Sequence, residues 1–225
     1  MAARLSARRE IALVLLTYGV YLLVRKVVLA RGGRARADRN AARVVELEEK
    51  LGVHVEPAVQ RAVLRYPRLL HGLNASYAVF NVTLTVGWAL FLLRRSDPGY
   101  RRLRNACLAT HLGAQPVFLL FPTAPPRVSE GFVDTMAEIS GFDLEHRLLV
   151  RLYNPVAAMP SLHVAFAVVT ATALAERATS TTGKLAAASY PPLVSLVIMA
   201  TGNHYVLDAV AGAALGAGAR RLTRP

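Results

Sequence analysis

The apolar residues of this 225-residue chain are gathered into long blocks, and that grouping limits what it can fold into. A helix crosses the hydrocarbon layer with roughly 20 mostly apolar residues. Segments 11–29 and 72–93 have that length, the first carrying Arg25 and Lys26. Segments 105–121, 160–175, 186–201 and 205–219 are shorter or carry polar interruptions. Each alone would pass for a core helix of a soluble protein. Beside the first two, with arginine clusters between them, they read as further spans. The expected fold is all-α: one membrane domain over 1–225, an integral bundle of six transmembrane helices. The first span is read as retained, because no small-residue cleavage pattern follows it.

Between the first two spans, about 38–66, an amphipathic interfacial helix is expected. Val44, Leu47 and Leu51 recur at helical spacing, with charges on the other face. Such a helix lies in the plane of the membrane surface, or forms a solvated cap over the bundle.

The net charge of +13 raises nucleic acid as a partner. Nucleic-acid binding needs a basic face on a folded domain, often with stacking aromatics. Here the basic residues sit in loops between apolar runs, as membrane topology requires, so the distribution argues against nucleic acid. The single Cys107 falls inside an expected span and reads as a packing residue. His111 and Gln115 read as a buried hydrogen-bonded pair, Asp134 and Glu138 as a solvated face. Trp88, Tyr77, Tyr100 and Tyr205 stand near span ends as interfacial anchors.

Lysine and arginine in short loops favour the cytoplasmic side. Arg4, Arg8 and Arg9, the cluster Arg94 to Arg104, Arg177 with Lys184, and Arg220, Arg221 and Arg224 therefore face inward. The outer segments after the second span hold Arg127, Arg147 and Arg151. The expected location is the cell membrane, multi-pass, with both termini cytoplasmic. With six spans, the 122–159 connection and the Gly202–Asn203 turn share the outer face. Arg127, Ser161, His163, His204 and Asp208 then converge at one depth, which five spans would forbid.

Those residues carry chemistry. His204 and Asp208 are four apart at the start of the last span, so on a helix they share a face. A carboxylate bonded to one imidazole nitrogen fixes the tautomer and frees the other nitrogen to attack. His204 reads as nucleophile and Asp208 as its orienter; a pair that merely satisfies itself at a helix end is the plainer alternative. Ser161 opens a helix after Pro160, where free N–H groups and the positive helix end suit phosphate oxygens. His163 beside that seat can protonate a departing alkoxide. Arg127, stiffened by Pro125 and Pro126, can clamp phosphoryl oxygens bidentately.

Pro160-Ser161-Leu162-His163, and His204 with Asp208 followed by Gly212, resemble the type 2 phosphatidic acid phosphatase (PAP2) superfamily. Pro122 to Arg127, with Arg151 to Pro155, is similar to the branch of inositol phosphorylceramide synthases and their bacterial relatives. The resemblance covers roughly 72–218. It implies a six-helix bundle, a phosphohistidine on His204, His163 as leaving-group acid, and no metal or cofactor. The family pattern has a lysine where this chain has Leu120 and an arginine where it has Ile198. Arg151, Asn154 and Asn203 are the candidate substitutes for these phosphate-binding cations, and Tyr205 a candidate for lining the site.

The expected activity is a membrane phosphatase or phosphotransferase on a lipid phosphate ester at the outer leaflet. Its partners are that lipid and, for transfer, an alcohol or polyol acceptor; the sequence sets no oligomeric state. Three rivals differ in chemistry. An intramembrane serine protease would use Ser161 and His204 but lacks the Gly-x-Ser-x-Gly turn. A lipid transporter would spread its polar residues along a path. Metal-assisted hydrolysis would gather His163, His204 and Asp208 on one ion.

Overall fold

The computed structural model describes residues 6–144, 146 and 151–223. Arg4, Arg147 and Arg224, used above for orientation, lie outside them. Among the described residues the regular structure is helical, apart from one parallel bridge between Thr123 and Ala157.

A helix stands at each apolar block. They are α1 (Ala7–Ala30), α4 (Pro67–Ala75) continued through a π-helical turn (Ser76–Phe80) into α5 (Asn81–Arg94), and α6 (Gly99–Leu120). Then come α8 (Leu162–Ala175), α9 (Thr181–Ala200) and α10 (Val206–Leu222), with a short α7 (Thr135–Glu138). Three stretches are long and apolar enough to cross a membrane: Ala7–Ala30, Pro67–Arg94 and Thr181–Ala200. Leu162–Ala175 is apolar but shorter. Along α1 the large side chains face outward, Leu15 at 64% and Leu16 at 66% exposure. An apolar helix uncovered to that degree is matched to lipid rather than water.

The segment read as one interfacial helix forms two, α2 (Gly33–Leu51) and α3 (Glu56–Leu64). Gly52, at φ +68°, ends α2 in the left-handed conformation that glycine adopts without steric cost.

Helices α8 and α10 cross at backbone contact. A Cβ at Gly212 would lie 2.3 Å from the Ser161 carbonyl oxygen, and one at Gly216 lies 2.4 Å from that of Ala165. Glycines four apart are how helices in lipid approach closely enough to gain packing energy. The core beside them is built from Val164, Ala167, Ala171, Tyr190, Val194 and Ile198.

A cluster of arginine ion pairs stands at one end of the bundle. Arg104 meets Glu10 at 2.5 Å, and Glu176 meets Arg102 at 3.0 Å and Arg220 at 2.6 Å. Arg177 pairs with Asp97, and that hydrogen bond holds the Asp97 carboxyl below its ordinary range. These contacts bring together the starts of α1 and α6 and the ends of α8 and α10. The histidines lie toward the opposite ends of α8 and α10.

Candidate active site

The site forms where α6 and α9 finish and α8 and α10 begin. The 121–128 loop pairs with 156–158: the Thr123 N–H donates to Val156 O, and the Ala158 N–H to Thr123 O. The chain then turns at Gly202, whose φ of +69° favours glycine, and the Arg127 N–H donates to its carbonyl at 2.7 Å.

His204 is held by this framework. Its Nδ1 lies 2.9 Å from the Ala158 carbonyl oxygen and 3.4 Å from Asp208 Oδ2. Both partners are acceptors, so in the neutral ring Nδ1 carries the proton and Nε2 is the basic nitrogen. The pairing does not arise as the spacing suggested. His204 precedes α10, with Tyr205 as the N-cap residue. Asp208 meets it by curling back over the helix start, where its Oδ2 also accepts the Tyr205 N–H at 2.9 Å. Helix capping, rather than a shared helical face, brings the two side chains together.

His163 occupies the first turn of α8. Its ring stacks on Tyr77 at 4.4 Å between centroids and stands 5.8 Å from the His204 ring at 59°. Tyr77, expected as an interfacial anchor, is thus a wall of the site. Asn81 fixes the turn from behind by donating to the His163 carbonyl at 2.8 Å.

Arg127 is 6% exposed and lies in a single helical turn, Pro126–Val128. One terminal nitrogen donates to Asn203 Oδ1 at 2.6 Å, and Nε stands 3.5 Å from Asp134 Oδ2. Asp134 also caps α7, accepting the Met136 and Ala137 N–H groups. Its expected solvated face is therefore corrected: Asp134 is spent on Arg127 and on a helix cap.

Arg127, Asn154, His163, Asn203 and His204 line one cavity of about 750 Å³. That volume lies within the ordinary range for small-molecule sites. Among the described residues lining it, Arg127 is the single arginine or lysine. Asn154 is 4% exposed, and its Nδ2 has no hydrogen-bond partner among the described residues. His71 and Asn74 also reach the wall.

Other expected site residues lie elsewhere. Ser161 is fully buried as the N-cap of α8, its Oγ accepting the Val164 N–H at 3.4 Å. It therefore shapes the helix start behind His163 rather than the cavity surface. Tyr205 is 1% exposed and packs with Val28, Ala37, Val44 and Val156, away from the cavity. Arg151 is exposed and outside the lining. Leu120 is 72% exposed and Ile198 is core, so no cation stands at either position. Gln115 donates to the His111 carbonyl rather than to its ring.

Several residues that build the site carried no motif. Gln60 makes two 3.0 Å bonds to the backbone of Val133, and Asn74 donates to Thr135 O at 2.7 Å. Glu48 and Glu56, both fully buried, accept the N–H groups of Leu207 at 2.7 Å and Val206 at 2.5 Å. Burial above all, with the charges of Glu56 and Asp208 nearby, pushes the Glu48 carboxyl up to about 8, against the Leu207 bond. One signal was visible: Glu48 sits four residues after Val44, on the apolar face of its helix. Among the described residues, the grouping with metal-ligand spacing is Glu48, His54 and Glu56, rather than His163, His204 and Asp208.

An all-helical chain with apolar spans thus holds two histidines and an arginine at one cavity, with the buried Asp208 carboxylate behind His204. Residues 42–222 match the family model of the PAP2 superfamily, and the chain belongs to that superfamily. Membership points to a phosphatase-type enzyme. Comparison with curated proteins and with solved structures returns no match.

Proposed function

We propose that the protein is a six-span membrane enzyme that breaks a lipid phosphate ester at the outer leaflet through a phosphohistidine. The observation that carries this reading is His204: Nδ1 is committed to the Ala158 carbonyl and Asp208, and the ring lines the cavity beside His163. Nε2 attacks phosphorus in line, and the ester P–O bond breaks. His163 gives a proton to the departing oxygen. Arg127, with Asn203 and the Asn154 amide, holds the phosphoryl oxygens. Asp208 stabilises the cationic phosphoimidazole. Water, or an inositol-type alcohol, then loses its proton to His163 and attacks the phosphohistidine. This releases phosphate or a new ester and restores His204.

A lipid substrate is supported by a second, apolar cavity of about 470 Å³ that shares Leu162 and His163 with the first. It runs past Val82, Val86, Leu90 and Phe166, on the leaving-group side. In this reading α2 and α3 lie at the outer interface, beside the site, and the ion-paired end is cytoplasmic.

The test is to incubate purified protein with 32P-labelled phosphatidic acid and a polyprenyl phosphate, with and without inositol. Acid-labile phosphate on the wild-type protein, and at least about a thousandfold lower turnover for His204→Ala, are expected for loss of a nucleophile. Equal turnover by His204→Ala would overturn the assignment. New inositol-bearing product rather than free phosphate would identify transfer.

A further inference from the structure

The start of α10 is capped from far away in sequence. The first N–H groups of a helix have no partner within it, and the N-cap side chain ordinarily supplies one. Tyr205 stands at that position and makes no such bond; its hydroxyl is 3.5 Å from Ser129 Oγ. Instead three consecutive amides meet three different buried carboxylates. The Tyr205 N–H goes to Asp208, that of Val206 to Glu56, and that of Leu207 to Glu48. The last two donors and acceptors are 150 and 159 residues apart. His54 stands against both, its Nδ1 hydrogen-bonded to Glu48 Oε2 at 3.3 Å and 3.1 Å from Glu56 Oε2, which has no hydrogen-bond partner among the described residues.

A solvated helix start needs no buried carboxylate, because water satisfies its N–H groups. Two carboxyl groups withdrawn from water are a large desolvation cost, offset where they accept N–H bonds at the positive end of a helix dipole. The segment they grip follows His204 directly and contains Asp208. Its amides fix where the helix begins, and so where His204 lies relative to His163.

We propose that Glu48 and Glu56 are positioning residues for the phosphoryl-transfer site, so that the α2–α3 elbow holds His204 and Asp208 in register with His163. This rests on the function proposed above. It gives the elbow a role in the reaction in addition to any contact with the membrane.

The experiment uses full-length protein in detergent, with Glu48→Ala, Glu56→Ala and the corresponding Gln variants. Gln keeps an oxygen acceptor and cannot ionise. Hydrogen exchange is read on peptides covering 203–210, and turnover on phosphatidic acid in mixed micelles. Each Ala variant is expected to raise exchange over 205–208 about tenfold, as for a lost cap. Each is also expected to lower kcat by about a hundredfold, with KM within about threefold, as for sub-ångström misplacement of reacting groups. Gln variants are expected to recover both readouts to within about threefold of wild type, because the acceptor geometry is kept. Unchanged exchange over 205–208 in the Ala variants would overturn the proposal. So would equal losses of kcat in Ala and Gln variants that simply follow Tm. Should wild-type protein leave phosphatidic acid untouched, exchange still judges the capping, and only the functional reading is in question.

Discussion

The tautomer of His204 is set twice, by the Ala158 carbonyl at 2.9 Å and by Asp208 at 3.4 Å. The backbone partner is the shorter of the two, so the ring's orientation depends on the 156–158 strip as well as on the aspartate. Arg127 is shared in a similar way, between Asn203 and Asp134, which keeps a buried guanidinium compensated before any anion arrives. Glu48 yields a prediction of pH dependence. Its native pKa of about 8 stands above the ordinary 4.5. Between those values the unfolded chain has lost the proton while the native protein retains it. The native state then binds more protons, so the contribution of Glu48 to stability is complete below 4.5 and declines as pH rises to about 8. Glu48→Gln cannot ionise and should flatten that decline. Thermal scans on both sides of the window check it, and an unaltered slope would assign the decline to another group.

At the scale of elements, the two histidines are brought together by the crossing of α8 and α10. Each helix carries its histidine at or just before its first turn, so a small rotation at the crossing moves one imidazole against the other. The contact at Gly212 is to backbone, the Ser161 carbonyl, which cannot rotate away as a side chain could. Gly212→Ala should therefore force the helices apart, lowering Tm and reducing turnover by about a hundredfold through misplacement of the imidazoles. Gly218→Ala, on the same helix with nothing within 4 Å, is the control. It should leave turnover unchanged and stabilise by up to about 1 kcal/mol from helix propensity. Equal behaviour of the two variants in thermal melts and turnover assays would remove the crossing as the determinant.

Across the whole molecule, a cluster of arginine ion pairs and the cavity lie at opposite ends. The pairs Glu10–Arg104, Glu176–Arg102, Glu176–Arg220 and Asp97–Arg177 stand at one end, and the cavity stands at the other. Inward retention of arginine-rich loops would then put the cavity on the outer face. Single cysteines placed at Glu130 and Thr179 on a Cys107→Ala background test this in intact cells. Membrane-impermeant maleimide should label the Glu130→Cys protein and reach the Thr179→Cys protein only after permeabilisation. Labelling of both from outside, or the reverse pattern, would refute the orientation.

Sequence alone determined the helical blocks and the chemical set of Arg127, His163, His204 and Asp208, because apolar runs and short motifs are local signals. It also placed a helix near each boundary expected, since arginine clusters and Gly or Pro residues punctuate the chain. Tertiary structure decided how the set is held. Gln60, Asn74 and Asn81, like Glu48 and Glu56, act through bonds to residues distant in the chain, which leave no periodicity to read. Ser161 and Tyr205 were legible as motif neighbours, yet packing turned both away from the cavity. A motif specifies which side chains are present, whereas the direction each one faces depends on which helices cross and where their first turns are tied.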